Sequence, residues 1–174
     1  MSIDFLKFAK DRYSVRKFKD TPLSDDVIKK IIECGHIAPT GCNYQPQRIL
    51  VIKSKESLEK LKRCTKCHFD APMAMLICYN KDELWVRPYD KALSCHHDAT
   101  IVTTHMMLMA HSLGVGSCYV MHFNPTKMKE EFNIPENFIP HALLVMGYSD
   151  DNSKPLNLHT EKRNINEVVF YDSF

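Results

Sequence analysis

The sequence predicts an α+β domain, with one sheet flanked by helices. Three observations lead there. Four apolar runs have strand length, at 48–52, 73–79, 117–121 and 142–147. Segments of helical period, several with N-terminal caps, stand before and between them. One long segment, about 91–113, is apolar almost all round, which marks a buried helix. Helix and strand are mixed around a single sheet, so a central mixed or antiparallel sheet fits better than a doubly wound α/β fold.

Taken in order, Ser2 is placed to cap a short helix whose apolar side is Phe5, Leu6, Phe8 and Ala9. A second helix starts at Ser24, with Asp25 and Asp26 set against the N-terminal dipole. Its buried stripe is Val27, Ile28, Ile31 and Ile32, and Pro39 stops it. The runs 48–52 and 73–79 are nearly all apolar and read as central strands, with a short helix over 56–63 between them. Gly114 ends the long helix, 117–121 and 142–147 are the remaining strands, and a small helix at 125–132 separates them. After Tyr148 the chain turns polar to about Glu161, then carries Ile165, Val168, Val169, Phe170 and Tyr171. That tail cannot nucleate its own core. The expectation is one domain over 1–174, with 149–174 as an extension that packs on a second subunit.

Composition narrows the function. Apolar residues make up 44% and charged residues 25%, as in an ordinary soluble globule. A net charge of +2, with no basic block, argues against nucleic acid. No run approaches the roughly 20 apolar residues that cross a bilayer, so no membrane partner is expected. Charges within the N-terminal apolar pattern do not fit a signal peptide, and the odd count of seven cysteines fits reduced thiols. Both point to the cytoplasm.

Two short runs carry the chemistry. In Arg12-Tyr13-Ser14-Val15-Arg16, an extended backbone turns Arg12, Ser14 and Arg16 one way and Tyr13 and Val15 the other. Two guanidinium forks and a hydroxyl on one face suit a phosphate. The run 38–46, Ala-Pro-Thr-Gly-Cys-Asn-Tyr-Gln-Pro, is rich in amides suited to the edge of a flat heterocycle. Two further clusters, Cys64/Cys67/His68 and Cys95/His96/His97, raise a rival: a metal-binding or redox-sensing module. The expected default for the first cluster is a set of unligated positions on a loop. No metal ligand set and no catalytic side chain is assigned.

With these motifs the chain resembles the FMN-dependent nitroreductase family, and its short members most. The resemblance runs from Asp11 to about Val169. It rests on Arg12-x-Ser14-x-Arg16, the 38–46 loop, Trp85-x-Arg87-Pro88, Asp98 with the 101–108 run, Leu113-Gly114-x-Gly116-Ser117-Cys118, Gly147-Tyr148 and Arg163. It implies an intertwined homodimer with FMN in clefts between the subunits. Arg12 and Ser14, with Tyr13 beside them, would hold the phosphate, helped by Arg163 from the tail. Arg16 would lie near the N1/O2 edge of the flavin ring. Thr40, Asn43 and Gln45 would reach it from the other subunit, and the strand exit Tyr119, Met121 and His122 would run past it. This sequence departs from the family at Gln47, at Glu161 and at Met121-His122.

The resemblance also implies a reaction. NAD(P)H reduces the flavin, leaves, and a small electron-poor organic compound such as a nitroaromatic or quinone takes its place, in ping-pong order. The flavin carries the electron chemistry, so the protein supplies orientation and electrostatics. A guanidinium about 4 Å from a negative N1 is worth roughly 4 kcal/mol at an effective dielectric of 20, which is the role expected of Arg16. A flavin-binding protein without turnover is the third reading.

Overall fold

The least polar strand lies deepest. In the computed structural model, which describes residues 4–174, β2 (Met73–Asn80) is buried at all of its eight positions. It pairs antiparallel with β1 (Gln47–Ile52) on one side and with β4 (Phe138–Gly147) on the other. β3 (Gly116–Val120) joins the far side of β4, giving the order β1-β2-β4-β3. Side chains alternate across a strand, so Met73, Met75, Ile77 and Tyr79 pack with α2 (Asp25–His36) and α4 (Cys95–Ser112). Ala74, Leu76 and Cys78 face the opposite layer, formed by α3 (Lys55–Cys64) and α5 (Pro125–Phe132). With helices on both faces, β2 needs no polar alternation.

β1 corrects one expectation. It is an edge strand in this chain, not a central one, and only Ile52 is fully buried. Its apolar side chains report that both faces are covered, since Ile49 and Val51 meet one layer and Leu50 the other. They carry no information about whether both edges are paired.

α1 (Phe5–Asp11) is capped by Asp4, whose carboxylate accepts from Lys7 N at 3.1 Å; Ser2 lies outside the described residues. The Ser24 cap forms as expected, accepting from Val27 N. α4 begins at Cys95, later than the apolar pattern implies. Lys91 is left-handed (φ 63°) and a Val86–Leu93 bridge closes a tight turn there, so the helix cannot start earlier. α2 packs closely on α4: a Cβ added at Gly35 would stand 2.6 Å from Met106 Cγ. The outer side of α4 is less covered than the pattern predicts, with Met107, Leu108 and Met109 half-buried and Ile101 exposed.

One irregularity shapes β4. Ile77 pairs with Ala142 but Cys78 pairs with Pro140, so His141 is bulged out of the ladder. The tail runs back over the N-terminal segment. Asp150 N donates to Lys17 O, Lys19 and Asp151 form an ion pair, and His159 Nε2 lies 3.0 Å from Lys10 O. Its apolar residues Ile165, Val168, Phe170 and Tyr171 stay exposed.

Candidate functional site

Val15 organises the basic strip. Its side chain is buried at 2% exposure and its N–H donates to Ser117 O at 2.9 Å, while Ser14 forms a parallel bridge with Ser117. The strip thus continues the sheet beyond β3. Gly116 permits this approach, because a Cβ there would meet Val15 Cγ2 at 2.8 Å. Arg12, Tyr13, Ser14 and Arg16 line one pocket of about 250 Å³ with Leu156, Leu158, His159 and Lys162. Strict alternation would have set Tyr13 apart, yet it shares this pocket, held by its hydroxyl 3.3 Å from Ser153 O and Oγ. Arg16 Nη1 donates to Ser14 O at 3.1 Å. Lys162, not Arg163, is the tail cation lining the pocket.

Behind the strip stands Cys118. Burial pushes its thiol up, and the nearby Arg16 guanidinium and Ser14 hydroxyl pull it back. At the exit of β3, Met121 and His122 line a larger cavity of about 740 Å³. Its opposite wall is the loop 64–66, which sequence reasoning left as unligated positions. The Thr65 hydroxyl donates to His122 O at 2.5 Å and accepts from Cys67 N at 2.9 Å; Asn124 N donates to Cys64 O at 2.9 Å. Lys62, Lys66 and Lys127 make the rim basic. Nothing in the local sequence links Thr65 to His122; only the fold brings them together.

Tyr119 does not join Met121 and His122 in lining this cavity. It lies on the α4 side of the sheet, where its hydroxyl and His141 Nε2 are 3.2 Å apart. Thr100 Oγ1 approaches the same nitrogen at 3.0 Å, and His96 Nδ1 faces His141 Nδ1 at 3.2 Å. Burial, and then His96, push the His141 imidazole down. This network is legible only once the bulge turns His141 toward α4.

The loop 40–46 is a strained turn. Thr40 precedes a 3₁₀ turn (Gly41–Asn43), and Cys42, Asn43 and Gln45 are all left-handed, at φ 47°, 59° and 51°. Gln45 N donates to Thr40 Oγ1 at 3.0 Å, and Gly41 N donates to the buried carboxylate of Asp98 at 2.8 Å. Asn43 and Gln45 are exposed. The loop feeds β1, at the opposite edge of the sheet from the Ser14 strip. Four strand spacings separate strip from β1, a lateral distance of about 19 Å.

The two cysteine–histidine clusters are split by the sheet. Cys64 is buried in one layer and Cys95 in the other. His68 Nδ1 accepts from Asp70 N. Among the described residues no group of three His, Cys, Asp or Glu side chains is placed to hold a metal.

A profile described as the nitroreductase family matches residues 9–72 and 64–148. The chain belongs to the nitroreductase family. A nitroreductase family protein of Clostridium difficile 630, solved by crystallography, is 39% identical and superposes with a TM-score of 0.92, over 99% of this chain and 100% of that one. A protein of Methanothermobacter thermautotrophicus, provisionally named NADH dehydrogenase/NAD(P)H nitroreductase, is 27% identical over 92% of this chain and 88% of its own length. An NAD(P)H FMN reductase of Bacillus subtilis is 24% identical over 86% of this chain and 68% of its own. The nitroreductase fold therefore accounts for the antiparallel sheet and both helical layers. No helix among the described residues is long and apolar enough to cross a membrane.

Proposed function

We propose that this nitroreductase-family chain works as a homodimer that passes electrons from NAD(P)H through FMN to a small electron-poor organic acceptor. It is an oxidoreductase, with the cofactor and reductant that appear in the names of its relatives. The observation that carries the dimeric site is the separation of its halves. The strip at 12–16 extends the β3 edge and the loop 40–46 enters β1 at the other edge, an arrangement that favours a flavin held between two copies, the strip of one facing the loop of the other. The half-buried outer side of α4 and the exposed apolar tail supply surface for that contact. In this reading 1–174 is one domain. The expected packing of all of 149–174 on the second copy is narrowed, because 150–162 packs on the strip of its own chain and only the exposed apolar end from Ile165 to Tyr171 is left to meet the second copy.

The donor set fits FMN. Arg12 and the Ser14 hydroxyl, with Lys162 across the pocket, offer charge-assisted hydrogen bonds to a phosphate. Tyr13 is anchored on Ser153 and walls the pocket. Arg16 offers positive charge to the pyrimidine edge of the ring, and Thr40, Asn43 and Gln45 supply amide and hydroxyl groups from the second copy. Met121 and His122 flank the ring through backbone, because the Thr65 bond fixes the His122 carbonyl. Bound FMN supplies hydride acceptance and donation at a single ring system. No side chain of this chain is required to hold the transferred hydride. Both NAD(P)H and the acceptor use the same open side, so turnover follows ping-pong order.

The purified protein tests this directly. The expected result is a yellow dimer carrying about one FMN per subunit, bleached by NADH or NADPH under argon and recoloured by a quinone. Initial rates should give parallel double-reciprocal lines. A yellow protein that NAD(P)H does not bleach is the passive flavin binder, and a colourless monomer that takes up no FMN overturns the proposal.

A further inference from the structure

Asp98 is the most unusual charged group of the chain that no part of the proposed mechanism uses. It is 2% exposed, lies in the first turns of α4, and among the described residues meets no cation. Its Oδ1 accepts from Gly41 N at 2.8 Å, and its Oδ2 is buried without a partner. A carboxylate in such a place is costly unless its charge is offset. Two things offset it: the N-terminal end of α4, which Ser94 does not cap with its side chain, and the Gly41 N–H. The contact needs a close approach. A Cβ added at Gly41 would lie 3.2 Å from both Trp85 Cβ and Ser94 Cβ, so glycine lets the loop sit against α4.

The loop it holds stores strain. Three non-glycine residues, Cys42, Asn43 and Gln45, are left-handed within four positions. The bonds of Asn43 N to Thr40 O, Tyr44 N to Gly41 O and Gln45 N to Thr40 Oγ1 stay within the loop. Among the described residues, the bond to Asp98 fastens its start to the helical layer. A strained turn persists only while its surroundings hold it, so releasing Gly41 lets residues 41–45 relax.

We propose that Asp98 is a positioning residue acting across the subunit boundary: through Gly41 it sets Thr40, Asn43 and Gln45 for the FMN whose phosphate the second copy holds. This rests on the two-copy flavin site proposed above. Asp98 touches neither cofactor nor substrate in this role. Its effect therefore falls on the site formed with the other copy, not on the strip of its own chain.

Subunit mixing reads that difference. Asp98→Ala and Arg12→Ala homodimers are each expected to bind FMN about tenfold or more weakly, as expected for loss of a charged hydrogen bond. Asp98→Asn keeps an oxygen for Gly41 N and should bind near the wild-type level. A heterodimer of Asp98→Ala with Arg12→Ala, isolated with two affinity tags, has one site carrying both defects and one carrying neither. The expected titration is one FMN per dimer at wild-type affinity. Two weakened sites would mean that Asp98 acts within its own chain, and would overturn the inference. Wild-type FMN affinity in Asp98→Ala alone would overturn it too, whereas wild-type affinity in Arg12→Ala would instead sink the phosphate strip on which it rests. If Asp98→Ala does not fold, Asp98→Ser takes its place in the heterodimer, where the same two outcomes apply.

Discussion

Ser14 and Ser117 form a parallel bridge on the open side of β3, and that single pairing sets the basic strip at the edge of an otherwise antiparallel sheet. The backbone of Ser14 is committed to the sheet, while the residue also lines the pocket, with its hydroxyl near the Cys118 thiol. The Ser14→Ala protein should keep its melting temperature and bind FMN about tenfold or more weakly, the worth of one hydrogen bond to an anion. Fluorescence titration of the apoprotein measures this. An unchanged dissociation constant would remove Ser14 from the phosphate site.

Arg16 is exposed and, among the described residues, its side chain is braced by a bond to Ser14 O. Its replacement by alanine is therefore expected to leave folding intact and to act on the reduced flavin. The midpoint potential should fall by about 30 mV or more, which for a two-electron couple corresponds to ~1.4 kcal/mol. Spectroelectrochemistry decides the point, and a potential equal to that of the wild type would place Arg16 away from the ring.

His141 predicts a pH dependence. Burial and His96 hold its folded pKa below the ordinary histidine value, so the unfolded chain binds the proton more readily. Stability contributed by neutral His141 is full above about pH 6.5, the unfolded value, and declines as pH falls below it. Melting temperature should thus drop between pH 7.5 and 5.5, with a smaller drop in His141→Gln. Equal slopes in the two proteins would show that another group is responsible.

Gly35 lies where α2 crosses α4, facing Met106, which is fully buried. Alanine there improves helix propensity by up to about 1 kcal/mol but overpacks the crossing by about 1–3 kcal/mol. The balance is a loss of roughly 1 kcal/mol, readable by urea denaturation. A stabilised Gly35→Ala would mean that Met106 swings aside at no cost.

Because the sheet parts Cys64 from Cys95, chelation should be inert. Dialysis against EDTA is expected to leave flavin content, melting temperature and rate unchanged. Loss of any of the three, restored by zinc, would revive a metal role for Cys67, His68 or His96.

Local chemistry was readable in this sequence and lateral placement was not. Ser24 announces α2 because a cap acts within four residues, and the 125–132 helix is bounded by signals as close at hand. β1 looked central because its side chains are covered on both faces, while strand order depends on pairings from distant parts of the chain. The same reason hid the contact between Thr65 and His122, which lie 57 positions apart. Tyr119 is a subtler case. Alternation puts it opposite Cys118 and Val120, but which face meets which cavity becomes clear only when the helical layers are in place. The bulge at His141 left no trace in the run of apolar residues around it. Of the candidate site, residues 12–16 share one pocket and residues 40–45 one turn because they are neighbours in sequence, whereas the distance between the two groups depends on strand order.

That distance makes the sheet a ruler. Strip and loop are fastened to its two ends, so the gap between them is counted in strands and is nearly independent of which side chains fill the layers above and below. Substitutions in the core, such as those at Leu76 or Met75 in β2, would lower the melting point long before they altered the gap. A strand gained or lost would change it in one jump of about 4.8 Å, the spacing between neighbouring strands. The architecture is therefore tolerant of drift in composition and intolerant of change in strand number.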